Sequence, residues 1–122
     1  MARGMSGIVD LFIELLEPLG PVRPRKMFGG TGLYVDDVMF ALEAGEVIYL
    51  KVADRNRPDF EAAGSAPFSY EGRDGQNVIM SYWYLPEHLL DEPDELLVWA
   101  RKALEIARSS KTKARARKKK KK

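Results

Sequence analysis

The spacing of apolar residues changes twice along the chain, from a helical period to alternation and back. Over 6–17, apolar residues recur every three or four positions, which predicts an amphipathic helix. The same period predicts a final helix from near Asp91 to about Arg108. A proline in the first turn and a glycine just past the end predict a short helix over 57–63.

Between these helices the chain alternates apolar and polar residues in short runs, which predicts β-strands. The predicted strands are 32–35, 38–42, 46–52, 67–70 and 77–85. Asp36-Asp37 is a turn signal between the first two, and short loops of this kind favour antiparallel pairing. The element order α-β-β-β-α-β-β-α therefore predicts a two-layer α+β fold, with a five-stranded antiparallel sheet and helices mainly on one face.

Positive and negative charges are segregated along the chain. Residues 1–110 hold 11 of the 20 Lys and Arg and all 18 Asp and Glu, so their net charge is −7. Residues 111–122 hold the other nine cations and no acid, and they offer almost no apolar area. This composition predicts a folded domain over 1–110 and a Lys/Arg-rich tail over 111–122 that is disordered in isolation.

The tail has the composition of a segment that contacts polyanions such as DNA or RNA. Its cations are Lys111, Lys113, Arg115, Arg117, Lys118, Lys119, Lys120, Lys121 and Lys122. Contacts to phosphates carry no base information, so such binding would be non-specific. A second interpretation is a solubilising tail that partly screens the acidic domain, and both interpretations stay open.

Composition excludes several kinds of site. The 122 residues include no cysteine, which excludes disulfides, thiolate metal sites and cysteine nucleophiles. No segment approaches the ~20 apolar residues of a membrane-spanning helix. Acidic residues interrupt the first apolar run, so we expect no secretory signal and no membrane contact. The expected location is the cytoplasm.

Residues suited to catalysis are sparse. His88 is the only histidine, and nothing in the sequence places it beside Ser81 and Asp91 as a triad would require. Without a second histidine, a metal would need carboxylates alone, and Asp36-Asp37 is better explained as a turn. We therefore predict no catalytic residue, no metal site and no cofactor.

The glycine-rich segment Gly29-Gly30-Thr31-Gly32 matches neither the P-loop nor the dinucleotide-binding pattern, and it leads into a strand. We interpret Gly29, Gly30 and Gly32 as a structural turn. Arg23, Arg25 and Lys26 precede it in an extended basic connector. These three cations are either an anion or partner contact, helped by nearby backbone N–H groups, or solvated charges beside a strand.

The tyrosines all fall on predicted strands: Tyr34, Tyr49, Tyr70, Tyr82 and Tyr84. Core packing explains most of them, since tyrosine suits a half-buried sheet surface. Those that share an uncovered face would favour contact with a protein partner, including a second copy of the chain. Stacking on nucleic acid is disfavoured, because the RNA-recognition signature is missing and the domain has a net charge of −7.

Several segments together carry a family resemblance. They are Met27-Phe28-Gly29-Gly30-Thr31-Gly32-Leu33-Tyr34, Asp36-Asp37, Met39-Phe40-Ala41-Leu42, Tyr49-Leu50-Lys51, Pro67-Phe68-Ser69-Tyr70, Met80-Ser81-Tyr82-Trp83-Tyr84 and Leu97-Val98-Trp99-Ala100. In order and spacing they resemble the N-terminal domain of the TfoX/Sxy family, bacterial regulators associated with competence for DNA uptake. The resemblance runs from about Met5 to Ala107.

The resemblance implies an α+β domain that is not an enzyme. It implies a regulatory or adaptor role through protein contacts with an unknown partner, in transcriptional or competence regulation. The alternative is a small, non-specific nucleic-acid-binding protein that acts through its basic tail.

Overall fold

The computed structural model describes residues 7–27 and 29–120, with side chains up to residue 110. Its helices are α1 (Gly7–Leu15), α2 (Arg57–Ala62) and α3 (Pro93–Lys120), with short 3-10 turns at Glu17–Leu19 and Glu87–Asp91. Its strands are β1 (Arg23–Met27), β2 (Gly30–Val35), β3 (Val38–Ala44), β4 (Val47–Lys51), β5 (Pro67–Gly72) and β6 (Gly75–Tyr84). The predicted α+β class is confirmed.

The strands form one antiparallel sheet in the order β1-β2-β3-β4-β6-β5. It has six strands, where the sequence predicted five, because β1 was interpreted as a connector. This strand contains Pro24 and three cations and lacks the apolar alternation of a half-buried strand. Proline is accepted on an edge strand, and charged side chains there discourage pairing with another chain.

The three helices pack on one face of the sheet, as predicted. Their buried side chains join those of the strands in a single core, in which the rings of Phe12 and Phe40 lie 6.2 Å apart. In β4, Ile48 and Leu50 belong to this core. Because side chains alternate along a strand, Tyr49 and Lys51 project to the other face.

The turn between β2 and β3 confirms the turn predicted at Asp36-Asp37. Asp36 has φ 51° and Asp37 has φ 65°, a left-handed pair of the kind that closes two-residue hairpins. The guanidinium of Arg108 on α3 donates a hydrogen bond to the Asp36 carboxylate at 3.1 Å. The turn is therefore also connected to the helix layer.

α3 is longer than predicted. The sequence placed its end near Arg108, and this was wrong, because the helical backbone continues to Lys120. Lysine, arginine and alanine are good helix formers, and a segment that extends an existing helix avoids the cost of nucleation. The division of the chain at residue 110, and the disorder of 111–122 in isolation, stay predictions.

Asn56 connects the end of β4 to α2. Its Oδ1 accepts a hydrogen bond from the Ala53 backbone N–H at 2.7 Å, and its Nδ2 donates to the Lys51 carbonyl at 3.1 Å. The side chain is only 2% exposed. Asn56→Ala is expected to lower the free energy of unfolding by about 1–2 kcal/mol, because two backbone groups lose their partners. Urea denaturation measures this, and an equal loss for the exposed control Gln76→Ala would contradict it.

Candidate functional site

The sheet face opposite the helices, here called the open face, is defined by one row of residues. Residues directly opposite each other in an antiparallel sheet project to the same side. The row crosses five strands and consists of Arg25, Gly32, Leu42, Tyr49 and Tyr84. Since Tyr49 projects away from the core, the whole row lies on the open face.

Four aromatic side chains, here called the aromatic cluster, lie together on this face: Tyr49, Phe68, Tyr70 and Tyr84. The ring centre of Tyr49 is 4.6 Å from that of Phe68 and 4.8 Å from that of Tyr84, and Phe68 is 5.9 Å from Tyr70. Tyr49 is buried in the middle, whereas Tyr70 and Tyr84 are 47% and 43% exposed. The cluster therefore has a packed centre and an exposed rim.

A groove of about 690 Å³ lies beside the aromatic cluster. Its apolar lining consists of Met27, Leu42, Ala44, Tyr49, Phe68 and Tyr70. Glu43 also lines the groove, and its Oε2 accepts a hydrogen bond from the Glu46 backbone N–H at 2.9 Å. Ligand pockets in proteins commonly have volumes of about 300–1,000 Å³ and a mostly apolar lining.

Of the three glycines predicted to form a structural turn, one lies in the turn and two lie in strand β2. Gly29 has φ 69° and lies between β1 and β2, whereas Gly30 and Gly32 lie within β2. A Cβ atom at Gly30 would collide with the backbone carbonyl of Glu43, and one at Gly32 would lie 2.9 Å from the Tyr34 ring. These two glycines therefore allow close approach along β2, next to the groove.

Two cations on the open face lie over tyrosine rings. The Arg25 Cζ is 4.8 Å from the centre of the Tyr34 ring, and the Lys51 Nζ is 5.1 Å from the centre of the Tyr82 ring. Such contacts hold a cation against the electron-rich face of a ring. Of the three cations interpreted either as an anion or partner contact or as solvated charges, Arg23 and Arg25 share this face. Lys26 projects to the opposite one.

Burial raises the pKa of two tyrosines on this face, Tyr49 and Tyr82. It raises the pKa of Tyr49 to about 12, with a contribution from the neighbouring Tyr84 hydroxyl. Burial raises the pKa of Tyr82 further, and Tyr34 adds to the effect. The Tyr82 hydroxyl donates a hydrogen bond to the Met39 carbonyl at 3.3 Å. These hydroxyl groups are therefore neutral structural elements of the face.

A titration of tyrosine absorbance tests this environment. We expect Tyr49 and Tyr82 to ionise well above the ordinary tyrosine value near 10. Because their folded-state pKa is raised, their contribution to stability is complete below pH ~10 and is lost as the pH rises towards 12. Tyr49→Phe should remove one late-ionising group. Simultaneous ionisation of all tyrosines in the folded protein would contradict the expectation.

Among the described residues, the side chains considered for a catalytic triad or a metal site do not lie together. The Nε2 of His88 lies 4.0 Å from an oxygen of Glu95, both on the surface, and no described hydrogen bond joins His88 to Ser81 or Asp91. Within 7–27 and 29–120, no three His, Asp or Glu side chains are close enough to hold a metal ion. No helix in this part of the chain is long and apolar enough to cross a membrane.

The nine tail cations predicted to contact nucleic acid, Lys111 to Lys122, have side chains outside the described residues. The helical backbone of α3 nevertheless carries 111–120. The sequence interpretation also missed Phe68 and Met27 as members of the open face. It did place Lys51 on this face, because Lys51 lies two residues from Tyr49 along β4 and such residues share one side of a strand.

A two-layer α+β domain that presents exposed rings and a groove on its sheet has the features of a binding domain. Residues 14–107 match the TfoX N-terminal domain, and the chain belongs to this family, which is regulatory and related to competence. The chain is 28% identical over 104 residues to the DNA transformation protein TfoX1 of Aliivibrio fischeri. The match covers 85% of this chain and 49% of that protein, so the chain spans about half the length of this relative.

Proposed function

We propose that the chain is a non-enzymatic regulatory or adaptor domain that acts in the cytoplasm, through protein contacts made by its open face. The observation that carries this proposal is the exposed rim of the aromatic cluster. Tyr70, Tyr84 and the nearby Met27 are each more than two-fifths exposed beside an apolar groove. Tyrosine and methionine are enriched in protein interfaces, and contiguous exposed apolar surface marks contact sites.

The family supports a proposal about the pathway. The similar protein of Aliivibrio fischeri is named for DNA transformation. A role in competence or in the transcription that accompanies it is therefore the regulatory setting that we propose for this domain. A second copy of the chain is one candidate partner, and Tyr49 and Tyr82 would contribute little to such a dimer because they are buried within one chain.

Site-specific crosslinking in cells tests the proposal. A photoreactive benzoylphenylalanine replaces Tyr84 on the open face or, as the matched control, Val98 on α3, which is 59% exposed. We expect position 84 to give a discrete protein adduct that survives nuclease and is absent from position 98. An adduct of twice the chain mass would identify a homodimer. Identical adducts at both positions, or adducts removed by nuclease, would contradict a protein contact at the open face.

The basic tail supports a second candidate, non-specific binding of nucleic acid. Nine cations without one acid follow residue 110, and the helical backbone of α3 carries most of them. If about six cations contact duplex phosphates, the logarithm of the affinity should fall against the logarithm of salt concentration with a slope of about −5. Fluorescence anisotropy with duplex DNA measures the slope. Removal of 111–122 should abolish the binding, and unchanged affinity would exclude this candidate.

A further inference from the structure

The cations of the open face have no acidic partner in the described part of the chain. Ion pairs between described residues include Arg57 with Asp54, Lys102 with Asp59, Arg108 with Asp36 and His88 with Glu95, and none of these involves a cation of the open face. Arg25 and Lys51 instead lie over the rings of Tyr34 and Tyr82. We call these four residues the cation–tyrosine cluster.

The cluster is continuous across the sheet. Arg25 on β1 covers Tyr34 on β2, and Lys51 on β4 covers Tyr82 on β6. The two tyrosines meet at Met39, which pairs with Tyr34 across the sheet and whose carbonyl accepts the hydrogen bond of the Tyr82 hydroxyl. Two cations therefore lie over tyrosine rings on the same face of the sheet, which is an arrangement suited to an anionic ligand.

Lys51 carries a cost that such a ligand would remove. Its side chain is partly withdrawn from water, and this desolvation lowers its pKa. A positive charge that loses water without gaining a carboxylate destabilises the folded chain. A carboxylate that approached Lys51 from outside would restore favourable electrostatics.

The acidic side chains of the strands do not oppose this approach. Glu43 lines the groove, but it pairs across the sheet with Thr31 and Ile48, so its strand position belongs to the helix side, and its carboxylate accepts a hydrogen bond from the Glu46 backbone N–H. Glu71 is adjacent to Tyr70 in β5, and alternation therefore places the two on opposite faces. The domain has a net charge of −7 as a whole, but the charged residues on the strand positions of the open face, Arg23, Arg25 and Lys51, are all cations.

The cations also adjoin the apolar groove. Lys51 is two residues from Tyr49 on β4, a distance of about 7 Å along a strand, and Tyr49 lines the groove. Two residues of an extended peptide span the same distance. A peptide with an acidic side chain and a large apolar side chain two or four positions apart would therefore contact Lys51 and the groove at the same time.

We propose that the open face binds an acidic, extended peptide segment of a partner protein, with carboxylates at Arg25 and Lys51 and an apolar side chain in the groove. This proposal rests on the protein-contact function given above and specifies the chemistry of the partner. Single-stranded nucleic acid fits less well, because the cations already cover faces of Tyr34 and Tyr82 that bases would need for stacking. A second copy also fits less well, since a two-fold contact would set like charges against each other.

Binding of synthetic peptides to the full chain tests the proposal. The probe is a fluorescein-labelled peptide, Ser-Glu-Ser-Ser-Ser-Glu-Ser-Phe-Ser, and the same peptide with Gln in place of Glu is its control. Its two Glu are four positions apart, about 14 Å in an extended chain, which matches the three strand spacings between β1 and β4. We expect the acidic peptide to bind at least tenfold more tightly than the Gln peptide. Arg25→Ala and Lys51→Met should each weaken its binding about tenfold, whereas Lys26→Ala, on the same strand as Arg25 but facing the other side, should change it less than twofold.

The basic tail is the same in the parent and the variants, so a difference in affinity between these proteins does not come from the tail. Arg25 is exposed on an edge strand, and Lys51→Met removes a desolvated charge, so both variants should unfold at no lower denaturant concentration than the parent. Peptide binding that is equal in the parent and both variants would overturn the proposal. If crosslinks at position 84 were still present, the protein contact would stand and only the acidic chemistry would be wrong.

Two further measurements test whether the open face instead binds nucleic acid or a second copy of the chain. An oligothymidylate that binds more tightly than the peptide, and loses affinity in Arg25→Ala and Lys51→Met, would overturn the proposal in favour of nucleic acid. Sedimentation that shows a dimer of the parent chain and a monomer of Lys51→Met would overturn it in favour of a second copy.

Discussion

Phe60→Ala is expected to lower the free energy of unfolding by about 3–5 kcal/mol. Phe60 is 1% exposed, and its ring centre lies 4.8 Å from that of Trp99 and 6.4 Å from that of Trp83. It is the buried side chain of α2, a helix of six residues. Helices this short depend on packing, so the substitution should leave a cavity and also release α2 from the core.

Denaturation followed by circular dichroism measures this loss. The matched control is Tyr70→Ala, which also removes an aromatic ring, but one that is 47% exposed on the rim of the aromatic cluster. We expect the control to cost less than about 1 kcal/mol, as surface substitutions usually do. Equal losses in the two variants would show that α2 is not held by Phe60.

Gly30→Ala is expected to lower the free energy of unfolding by about 3 kcal/mol, at the upper end of the usual cost of overpacking. The added methyl group would collide with the backbone carbonyl of Glu43 on β3. A backbone atom in a paired strand cannot rotate away as a side chain would, so β2 and β3 must separate locally. Because Gly30 lines the groove, this separation should also disturb the groove.

Gly7→Ala is the matched control, because an added Cβ there meets no atom within 4 Å. Gly7 begins α1, where alanine is favoured over glycine by up to about 1 kcal/mol. Urea denaturation of both variants should therefore give effects of opposite sign. A Gly30→Ala protein as stable as the parent would show that β2 and β3 tolerate the wider spacing.

Much of the fold was predictable from local pattern. The alternation of Ile48, Tyr49 and Leu50 predicted both a strand and its two faces, and Asp36-Asp37 predicted the hairpin turn. β1 was missed because an exposed edge strand of Arg, Pro and Lys does not need apolar alternation. The end of α3 was misplaced because the lack of apolar residues was interpreted as the lack of a helix, although lysine and arginine favour helix formation.

The open face was less predictable, because it depends on which strands are neighbours. The aromatic cluster joins Tyr49 of β4 to Phe68 of β5 and Tyr84 of β6, and the strand order β4-β6-β5 differs from the order along the chain. The register between β5 and β6 also shifts between Pro67 and Phe68. No local period encodes such a shift. The five tyrosines could be found in the sequence, but their division into buried and exposed rings could not.

The continuation of α3 has an electrostatic consequence for the whole molecule. Twelve helical residues separate Arg108 from Lys120, which corresponds to about 18 Å of helix. Mobile ions at physiological strength attenuate charge interactions over about 8 Å. The backbone at Lys120 is therefore about two such lengths from the Arg108–Asp36 contact, so one small chain can present an anionic globule and a distant stretch of positive sequence to different surroundings.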